Sequence, residues 1–509
     1  MIKLSKFMFW AVALLLSTGC ASCSSNSDNG GEEPQPTPPT PPAEESCDVE
    51  AYVTSENLAY RFTKIDTRFA SVSMSPSKIK LDPTETYQDI DGFGAALTGS
   101  SCYNLMKMSA ADRARFLKET FDPEEGMGFS FIRMHIGGSD FSMDEYTCCD
   151  KEGIEFFEIP QIEREGIFPV LREIMAINPN LKIMGSPWSC PRWMKVNPNT
   201  MKAPYNSWTS GRLNPEYYDE YAEYFVKWVQ EMEAEGFPIF AITMQNEPLN
   251  HGNSMSLYMP WEDQLAFIKH LGPAFEREGI DTKILLFDHN YNYDNKSGQE
   301  RYPLHIFADA EASKYADGSA WHSYGGHVSE LDYINKMAPD KSIYFTEASI
   351  GTWIGDGTWK GVLKSCILND FEHNFLGVLS RNGSGVIMWN LMLDQDRKPF
   401  RPGGCSTCFG AVQINNGTYS YESLEYSSHY YDIAHCSKVV KAGAKRIKSS
   451  GYTADGLTYE AFLNPDGSYA VLALNRSNKD ISVAFQGPAK GFRFTIPAAS
   501  IASLRWSEN

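Results

Sequence analysis

Short apolar runs alternate with longer amphipathic runs through the middle of the chain. The short runs are rich in aliphatic and β-branched residues, which is typical of buried strands. The longer runs repeat apolar residues at spacings of three and four, which predicts helices that bury one face. The predicted strands cover residues 92–98, 129–136, 181–188, 240–247, 283–289, 319–324, 342–347 and 385–391, and the predicted helices include residues 110–121, 168–177, 215–235, 261–278 and 328–337. Eight strand–helix units that close on themselves predict an α/β fold, the (β/α)8 TIM barrel.

Both ends of the chain have a different pattern. Residues 52–87 and 461–504 contain short segments in which apolar and polar residues alternate. This pattern predicts one β-sandwich that is built from N- and C-terminal strands and attached to the barrel. A length of 509 residues suits one barrel plus a smaller domain. The predicted domains are residues 47–88 for the N-terminal part of the sandwich, 89–428 for the barrel and 429–509 for the C-terminal part of the sandwich.

Two of the predicted barrel strands end in a glutamate. Glu247 closes the fourth strand, just before Pro248, which removes a backbone donor where the strand should stop. Glu347 closes the seventh strand. A single glutamate at a strand end is more often an ordinary solvated or capping residue. Two glutamates at the mouth of one barrel favour a catalytic pair, and one chemistry that uses such a pair is the hydrolysis of acetals.

The first residues are typical of an export signal. Two lysines precede an apolar run at residues 7–16, and small residues then lead to Cys20. This predicts a lipoprotein signal over residues 1–20 with Cys20 as the lipidated residue, while Cys23 and an ordinary secretory signal stay open as alternatives. The run is shorter than the ~20 apolar residues that span a membrane. Residues 21–46 are rich in Ser, Gly and Pro and predict a tether, so we expect a protein lipid-anchored to the bacterial outer membrane.

Composition narrows the classes of function. The formal net charge of −19 argues against nucleic acid or an anionic membrane surface as a partner, since either needs a basic face. The sequence has no GxSxG, HExxH or GxxxxGKS/T motif, and neither a metal nor another cofactor needs to be invoked. Cys405 and Cys408 form a CxxC pair, which predicts a loop disulfide or free thiols more readily than a zinc site.

Seven segments, each at a predicted strand end, resemble glycoside hydrolase family 30, the family of lysosomal glucosylceramidase. They follow one another in the order of the family, and the resemblance runs from about Asp91 to the C terminus. NEP at 246–248 alone would be modest evidence, whereas seven segments in order are strong evidence. The segments are DGFGAALT at 91–98, RMHIGGSDFS at 133–142, SPWSCPRWMK at 186–195, QNEP at 245–248, AWHSY at 320–324, TEA at 346–348 and MWNL at 388–391.

The resemblance implies a retaining mechanism in which Glu247 is the acid/base and Glu347 is the nucleophile. Arg133 matches the arginine that the family has near the nucleophile, and a nearby cation should lower the pKa of Glu347. Burial and the charge of Glu347 should instead raise the pKa of Glu247, so that Glu247 holds a proton at rest. Retention requires carboxyl groups about 5–5.5 Å apart, against roughly 6.5–9.5 Å for inversion.

The other matches imply a site for a glucose unit. Asn246 is expected to bind the 2-hydroxyl group, and Tyr324 to donate a hydrogen bond to Glu347. An aspartate and two tryptophans are expected to line the glucose subsite, where the carboxylate can accept two hydroxyl donors. Without the resemblance, the tryptophans and the histidine would be interpreted as core residues. The matched positions are Asp140, Trp188, Asn246, His322, Tyr324 and Trp389.

The resemblance leaves the substrate open between β-1,6-glucan and glucosylceramide. A surface lipoprotein on a tether is better placed to meet a polysaccharide, so we expect a monomeric endo-β-1,6-glucanase that works by double displacement. β-Xylanase and β-fucosidase activities are less expected, because the matched residues suit glucose. The alternative of another class is a non-catalytic surface glycan-binding protein, and the presence of both glutamates argues against it.

Overall fold

The computed structural model describes residues 47–508 of the chain. Within them, all eight predicted barrel strands form, and each pairs in parallel with its neighbours. They are β1 (Gly92–Ala95), β2 (Phe131–Ile136), β3 (Lys182–Pro187), β4 (Ala241–Thr243), β5 (Lys283–Asn290), β6 (Gly318–His322), β7 (Ser342–Glu347) and β8 (Gly383–Met388). This confirms the TIM barrel. The carboxyl ends of all eight strands therefore meet at one mouth.

The barrel closes between β1 and β2. The backbone N–H of Leu97 donates to the carbonyl of Arg133 at 2.9 Å, and Ala96 forms a parallel bridge to Arg133. The two backbones come so close that a Cβ on Gly94 would lie 1.9 Å from the carbonyl oxygen of Phe131. Closure at this point therefore requires glycine, which accounts for the Gly-Phe-Gly sequence of β1.

Apolar side chains fill the barrel below its mouth. Phe131, Phe240 and Tyr344 meet edge to face, with ring centroids 5.5–6.2 Å apart. Met184 and Leu285 complete the packing around them. Because these packed side chains exclude water, polar groups at the mouth of the barrel interact at a low local dielectric.

Helices cover the outside of the barrel. Three of them, Ala110–Phe121, Phe168–Ile177 and Trp261–Glu278, have the predicted bounds. Trp261–Glu278 ends at Gly279, whose φ of 67° is readily adopted by glycine and does not continue a helix. The other described α-helices are Gly99–Lys107, Gln161–Gly166, Tyr218–Ala234, Tyr302–Phe307, Glu330–Met337, Trp359–Asp370, Gly377–Leu379 and Ser428–Val439.

Strands from both ends of the described chain form one nine-stranded sheet that folds over into a sandwich. They are Val49–Ser55, Thr63–Lys64, Lys78–Ile90, Ala444–Gly451, Leu457–Leu463, Tyr469–Asn475, Ile481–Gln486, Gly491–Ile496 and Ser500–Trp506. The first pairs antiparallel with the last. Phe492 packs edge-on against Trp506 in the sandwich core, with 4.9 Å between ring centroids. The predicted sandwich is therefore confirmed.

Several elements differ by a few residues from their predicted bounds, and two of the differences bear on the site and on the domain boundary. Strand β4 stops at Thr243 and does not reach residue 247. Beyond it the backbone departs from the extended conformation, with a φ of 46° at Glu247, although the N–H of Asn246 still donates to Pro187 and that of Glu247 to Asp288. The sandwich does not resume at residue 429. Helix Ser428–Val439 packs against the barrel helix Trp359–Asp370, and the next sandwich strand begins at Ala444.

Several sequence-based predictions fall on the ends of the chain. The predicted lipoprotein signal, Cys20 and the tether lie outside the described residues and stay predictions. Within residues 47–508, no helix combines the length and the apolar character that a membrane span requires. Cys405 and Cys408 form a disulfide, which was one of the predicted states of the CxxC pair.

Candidate active site

The two predicted catalytic glutamates face each other at the carboxyl ends of the barrel strands. Glu347 is the last residue of β7, and Glu247 lies four residues beyond the end of β4 with a φ of 46°. Each offers a carboxylate oxygen, and together with a ring nitrogen of His322 these atoms lie within 4.8 Å of one another. Both glutamates are buried. Two carboxylate oxygens this close together fit a retaining site, whose carboxyl groups lie about 5–5.5 Å apart, better than an inverting one.

A buried arginine fixes the position of Glu347. Nη1 of Arg133 donates to Oε2 of Glu347 at 2.5 Å, and Nη2 donates to Oδ1 of Asn246 at 2.7 Å. The hydroxyl of Tyr324 donates to the second oxygen, Oε1, at 3.0 Å. Because both oxygens of Glu347 have donors, its carboxyl group is held in one orientation. The contact with Arg133 also leaves the amide nitrogen of Asn246 as the group that can reach a substrate.

Asp288 lies beneath the site and was missed by the sequence analysis. It sits at a bulge in β5, where Phe287 and Asp288 have φ values of 74° and 72°. Nη2 of Arg133 donates to Asp288 at 2.8 Å, and the hydroxyls of Thr243 and Thr346 donate to it at 2.7 Å each. Despite its burial, Arg133 and the other donors hold the pKa of Asp288 far below its usual range. The signal in the sequence was a charged residue at the end of the apolar run of β5.

Glu247 has a different environment from Glu347. The side-chain amide of Asn250 donates to its Oε2 at 2.8 Å, and Nδ1 of His322 lies 3.4 Å from its Oε1. Nε2 of His322 lies 3.0 Å from Asp288. His289 is fully buried, with Nε2 3.9 Å from Oε1 of Glu247. Asn250 and His289 were not predicted as site residues: Asn250 follows the predicted end of β4, and His289 is the last residue of the predicted β5.

The predicted direction of the Glu247 pKa shift is wrong. Burial would raise the pKa of Glu247, but the hydrogen bond from His322 and the charges of His289 and His322 outweigh burial and lower this pKa to about 2. Burial would lower the pKa of His322, but the charge of Glu347 and the contacts with Asp288 and Glu247 raise it to about 9. The expected lowering of the Glu347 pKa is also wrong, because burial raises this pKa more than the charges of His322 and Arg133 lower it. The contact with His322 therefore favours the ionised form of Glu247, and the contacts with Glu247 and Asp288 favour the charged form of His322.

Two indole rings and an aspartate form the wall of the site. Trp188 and Trp389 stack with 5.0 Å between ring centroids, and the guanidinium of Arg133 lies 5.1 Å and 5.5 Å from the two rings. Among the described residues, Oδ1 of Asp140 has no hydrogen-bond partner. Burial and the charges of Glu347 and Glu247 raise the pKa of Asp140 to about 8. The raised pKa favours the protonated form of Asp140, which can donate to one sugar hydroxyl and accept from another, whereas the ionised form only accepts.

The structure thus brings together every predicted site residue between Arg133 and Trp389. Glu247, His322 and Glu347 are also the kind of donor set that can hold a metal ion. However, the oxygens of Glu347 already accept from Arg133 and Tyr324, and Arg133 supplies the positive charge. A metal would have to displace these contacts, so the arrangement fits proton transfer and nucleophilic attack better than metal binding.

We expect stability to fall at alkaline pH because of His322. Its pKa is 6.5 in an unfolded chain and about 9 in the site, so its contribution is complete below pH 6.5 and is lost as the pH rises through 9. This difference corresponds to about 3 kcal/mol at most. Melting temperatures measured between pH 6 and 10 should therefore decline less steeply for His322→Gln than for the parent protein.

A second buried histidine provides the control for this measurement. Burial lowers the pKa of His135 to about 4, so this ring is neutral across the whole range tested. His135→Gln should keep the parent's slope. Equal slopes for His322→Gln and the parent would contradict a charged His322.

The fold and the site together define a class of protein. A TIM barrel with two close carboxyl groups at its mouth, one held by an arginine, beside a wall of indoles, is a carbohydrate-cleaving hydrolase. The chain belongs to glycosyl hydrolase family 30. The family's TIM-barrel domain matches residues 90–440, and its beta sandwich domain matches residues 443–504. The protein is therefore a glycoside hydrolase.

Individual relatives agree with this assignment. The endo-1,6-beta-D-glucanase BGN16.3 of Trichoderma harzianum is 32% identical over 461 residues, which cover 85% of this chain and 88% of that protein. The lysosomal acid glucosylceramidase of Mus musculus is 25% identical over 447 residues, covering 84% and 83%. A solved structure of an endo-beta1,6-glucanase superposes with a TM-score of 0.87 at 49% identity, covering 91% of this chain and 100% of that chain.

Proposed function

We propose that this protein is a retaining endo-β-1,6-glucanase. The observation that carries the proposal is the similarity to the solved endo-beta1,6-glucanase, at 49% identity over 91% of this chain. The glucosylceramidase of mouse reaches 25%. The predicted export and lipid anchor are part of the proposal, since they would place the enzyme where it meets polysaccharide.

In the first step, Oε2 or Oε1 of Glu347 attacks C1 of the bound glucosyl unit and the bond from C1 to the glycosidic oxygen breaks. Glu247 gives a proton to the departing oxygen. That proton comes from Nδ1 of His322 across the 3.4 Å contact. A glucan chain that enters the mouth displaces water, and desolvation favours the neutral forms of both His322 and Glu247, so substrate binding drives this transfer.

In the second step, Glu247 acts as a base and takes a proton from a water molecule, whose oxygen attacks C1 and releases Glu347. Two inversions at C1 give net retention. Asn246, held through its oxygen by Arg133, can donate to the 2-hydroxyl group, a contact that strengthens as the ring flattens. The indole wall stabilises the apolar face of the same ring.

Product analysis tests the proposal. The protein without residues 1–46 is incubated with β-1,6-glucan, β-1,3-glucan, xylan and glucosylceramide in parallel, and products are followed over time. We expect short β-1,6-linked oligosaccharides early in the reaction, because an endo-acting enzyme cuts within chains. Glucose released only from the lipid would instead identify a glucosylceramidase. Inactivity on all four substrates would favour a glycan-binding protein without catalysis.

A further inference from the structure

A pocket of about 350 Å³ opens beside the catalytic centre, between the loops that follow β6 and β7. Tyr324 lines this pocket and also donates to Glu347, and Ser349 of its wall follows the nucleophile by two residues. Asp140 and Trp188 follow β2 and β3, on the other side of the ring of strands. The pocket has the volume of a small-molecule site, ~300–1,000 Å³. Apart from Tyr324, the proposed mechanism uses none of its residues.

Two exposed aromatic rings form the rim of the pocket. Trp353 is 53% exposed and Tyr324 is 44% exposed. The indole of Trp353 packs directly against Gly351 of its own loop. The contact is so close that a Cβ on Gly351 would lie 2.1 Å from the Cζ3 atom of Trp353. That loop is tied down, since Ile350 and Gly351 pair with Cys408–Phe409. A large ring held in place at a mouth, with much of its surface in solvent, is suited to stack on a sugar.

Polar side chains lie deeper in the pocket wall. The hydroxyl of Tyr291 and Nδ1 of His429 are buried and have no hydrogen-bond partner within residues 47–508. Nε2 of His429 lies 3.2 Å from Oδ2 of Asp370, and neither of these two atoms has a hydrogen-bond partner among the described residues. A buried polar group without a partner costs about 1–3 kcal/mol. A ligand that carries hydroxyl groups can supply the missing partners.

We propose that this pocket binds a glucosyl unit on the leaving-group side of the scissile bond. Trp353 stacks on the C–H face of the ring, and Tyr291 and His429 bind hydroxyl groups at its edge. A β-1,6 linkage passes through an exocyclic methylene group, which lets the leaving ring turn sideways out of the mouth. The inference rests on the proposed endo-β-1,6-glucanase activity. It adds the path that the glucan takes on the leaving-group side of the bond that is cut.

The first test removes the aromatic platform with Trp353→Ala. Two substrates are compared: a linear β-1,6-linked glucotetraose, whose leaving group is a sugar, and an activated aryl β-gentiobioside, whose leaving group is small. We expect kcat/KM to fall about tenfold or more on the tetrasaccharide, as for loss of an aromatic anchor, and to stay within about twofold on the aryl substrate. Trp353→Phe should keep most of the activity. Tyr103→Ala, which removes another exposed ring, should change neither substrate.

The second test removes only the hydroxyl group with Tyr291→Phe. The ring stacks on Trp321 and stays in place, so the melting temperature should be equal or higher. KM for the tetrasaccharide should rise about fivefold, on the scale of one lost hydrogen bond, with the aryl substrate unaffected.

A parent enzyme that does not cut β-1,6-glucan would contradict both the proposed function and this inference. An active parent with both variants unchanged on the tetrasaccharide, or equally weakened on both substrates, would overturn the pocket assignment alone.

Discussion

Glu347→Gln is expected to lower the turnover of β-1,6-glucan by a factor on the order of 10⁴–10⁶ while leaving the fold intact. The amide nitrogen of glutamine is not a nucleophile, so no glycosyl-enzyme can form. The amide oxygen still accepts a hydrogen bond from Arg133 or Tyr324, so the geometry of the site is kept. Circular dichroism and the melting temperature show whether the fold is intact, and the rate of reducing-end formation measures turnover.

A rescue experiment assigns the role of Glu347 more sharply. In Glu347→Ala, azide can enter the space of the carboxyl group and attack C1 from the same face, which gives an α-glycosyl azide in a single inversion. Glu163→Gln is the matched control, because Glu163 is buried outside the site and burial raises its pKa to about 8, so glutamine mimics its neutral form. Full activity in Glu347→Gln, or a β-glycosyl azide from Glu347→Ala, would contradict the assignment as nucleophile.

The architecture was predictable because its signals are local. All eight barrel strands and several helix bounds follow from runs of apolar residues, and the packing of the barrel preserves these runs. The end of β4 was not predictable. Its apolar run continues to Met244, but the regular strand ends at Thr243, and a turn with a φ of 46° at Glu247 brings the N–H groups of Asn246 and Glu247 to Pro187 and Asp288. Such contacts form only in the closed barrel, and the pattern of apolar and polar positions along the sequence does not show them.

The candidate site was predictable in its residues and only in part in its chemistry. Glu247 and Glu347 can be recognised in the sequence as polar residues at the ends of apolar strands. The other predicted site residues were identified through the resemblance to the family. Asp288 carries the same signal, yet nothing in the sequence shows that a bulge turns it beneath Arg133. Asn250 also lies close to Glu247 in the chain, but its contact requires the turn that follows β4.

The direction of the pKa shift of Glu247 could not be predicted by considering residues two at a time. With two glutamates and one arginine, electrostatics places the proton on the glutamate that lacks the arginine. In the structure, the charge of Glu347 and the contacts with Asp288 and Glu247 raise the pKa of His322, and His322 in turn lowers the pKa of Glu247. Proton placement is a property of the assembled set, whereas the sequence shows only its members.

Glu247→Ala should separate substrates by their leaving groups. For β-1,6-glucan, whose leaving oxygen needs a proton, we expect the rate to fall about 10²–10⁴-fold. An activated aryl β-gentiobioside should still form the glycosyl-enzyme at close to the parent's rate, because its leaving group departs as an anion. Hydrolysis of that intermediate lacks a base and becomes slow, so a burst of released phenol followed by a slow steady state is the expected signature.

Azide tests whether the slow step after the burst is the hydrolysis of the glycosyl-enzyme. Added to Glu247→Ala, azide attacks the glycosyl-enzyme without needing a base, which speeds turnover of the aryl substrate and gives a β-glycosyl azide. The product has the opposite configuration to the one expected from Glu347→Ala, so the two carboxyl groups are assigned independently. Asn250→Ala, which removes only the amide donor to Glu247, is the milder control and should weaken both substrates far less than Glu247→Ala weakens the glucan. Equal losses on glucan and aryl substrate in Glu247→Ala, with no effect of azide, would mean that Glu247 positions the substrate and that another group, with His322 the nearest, protonates the leaving oxygen.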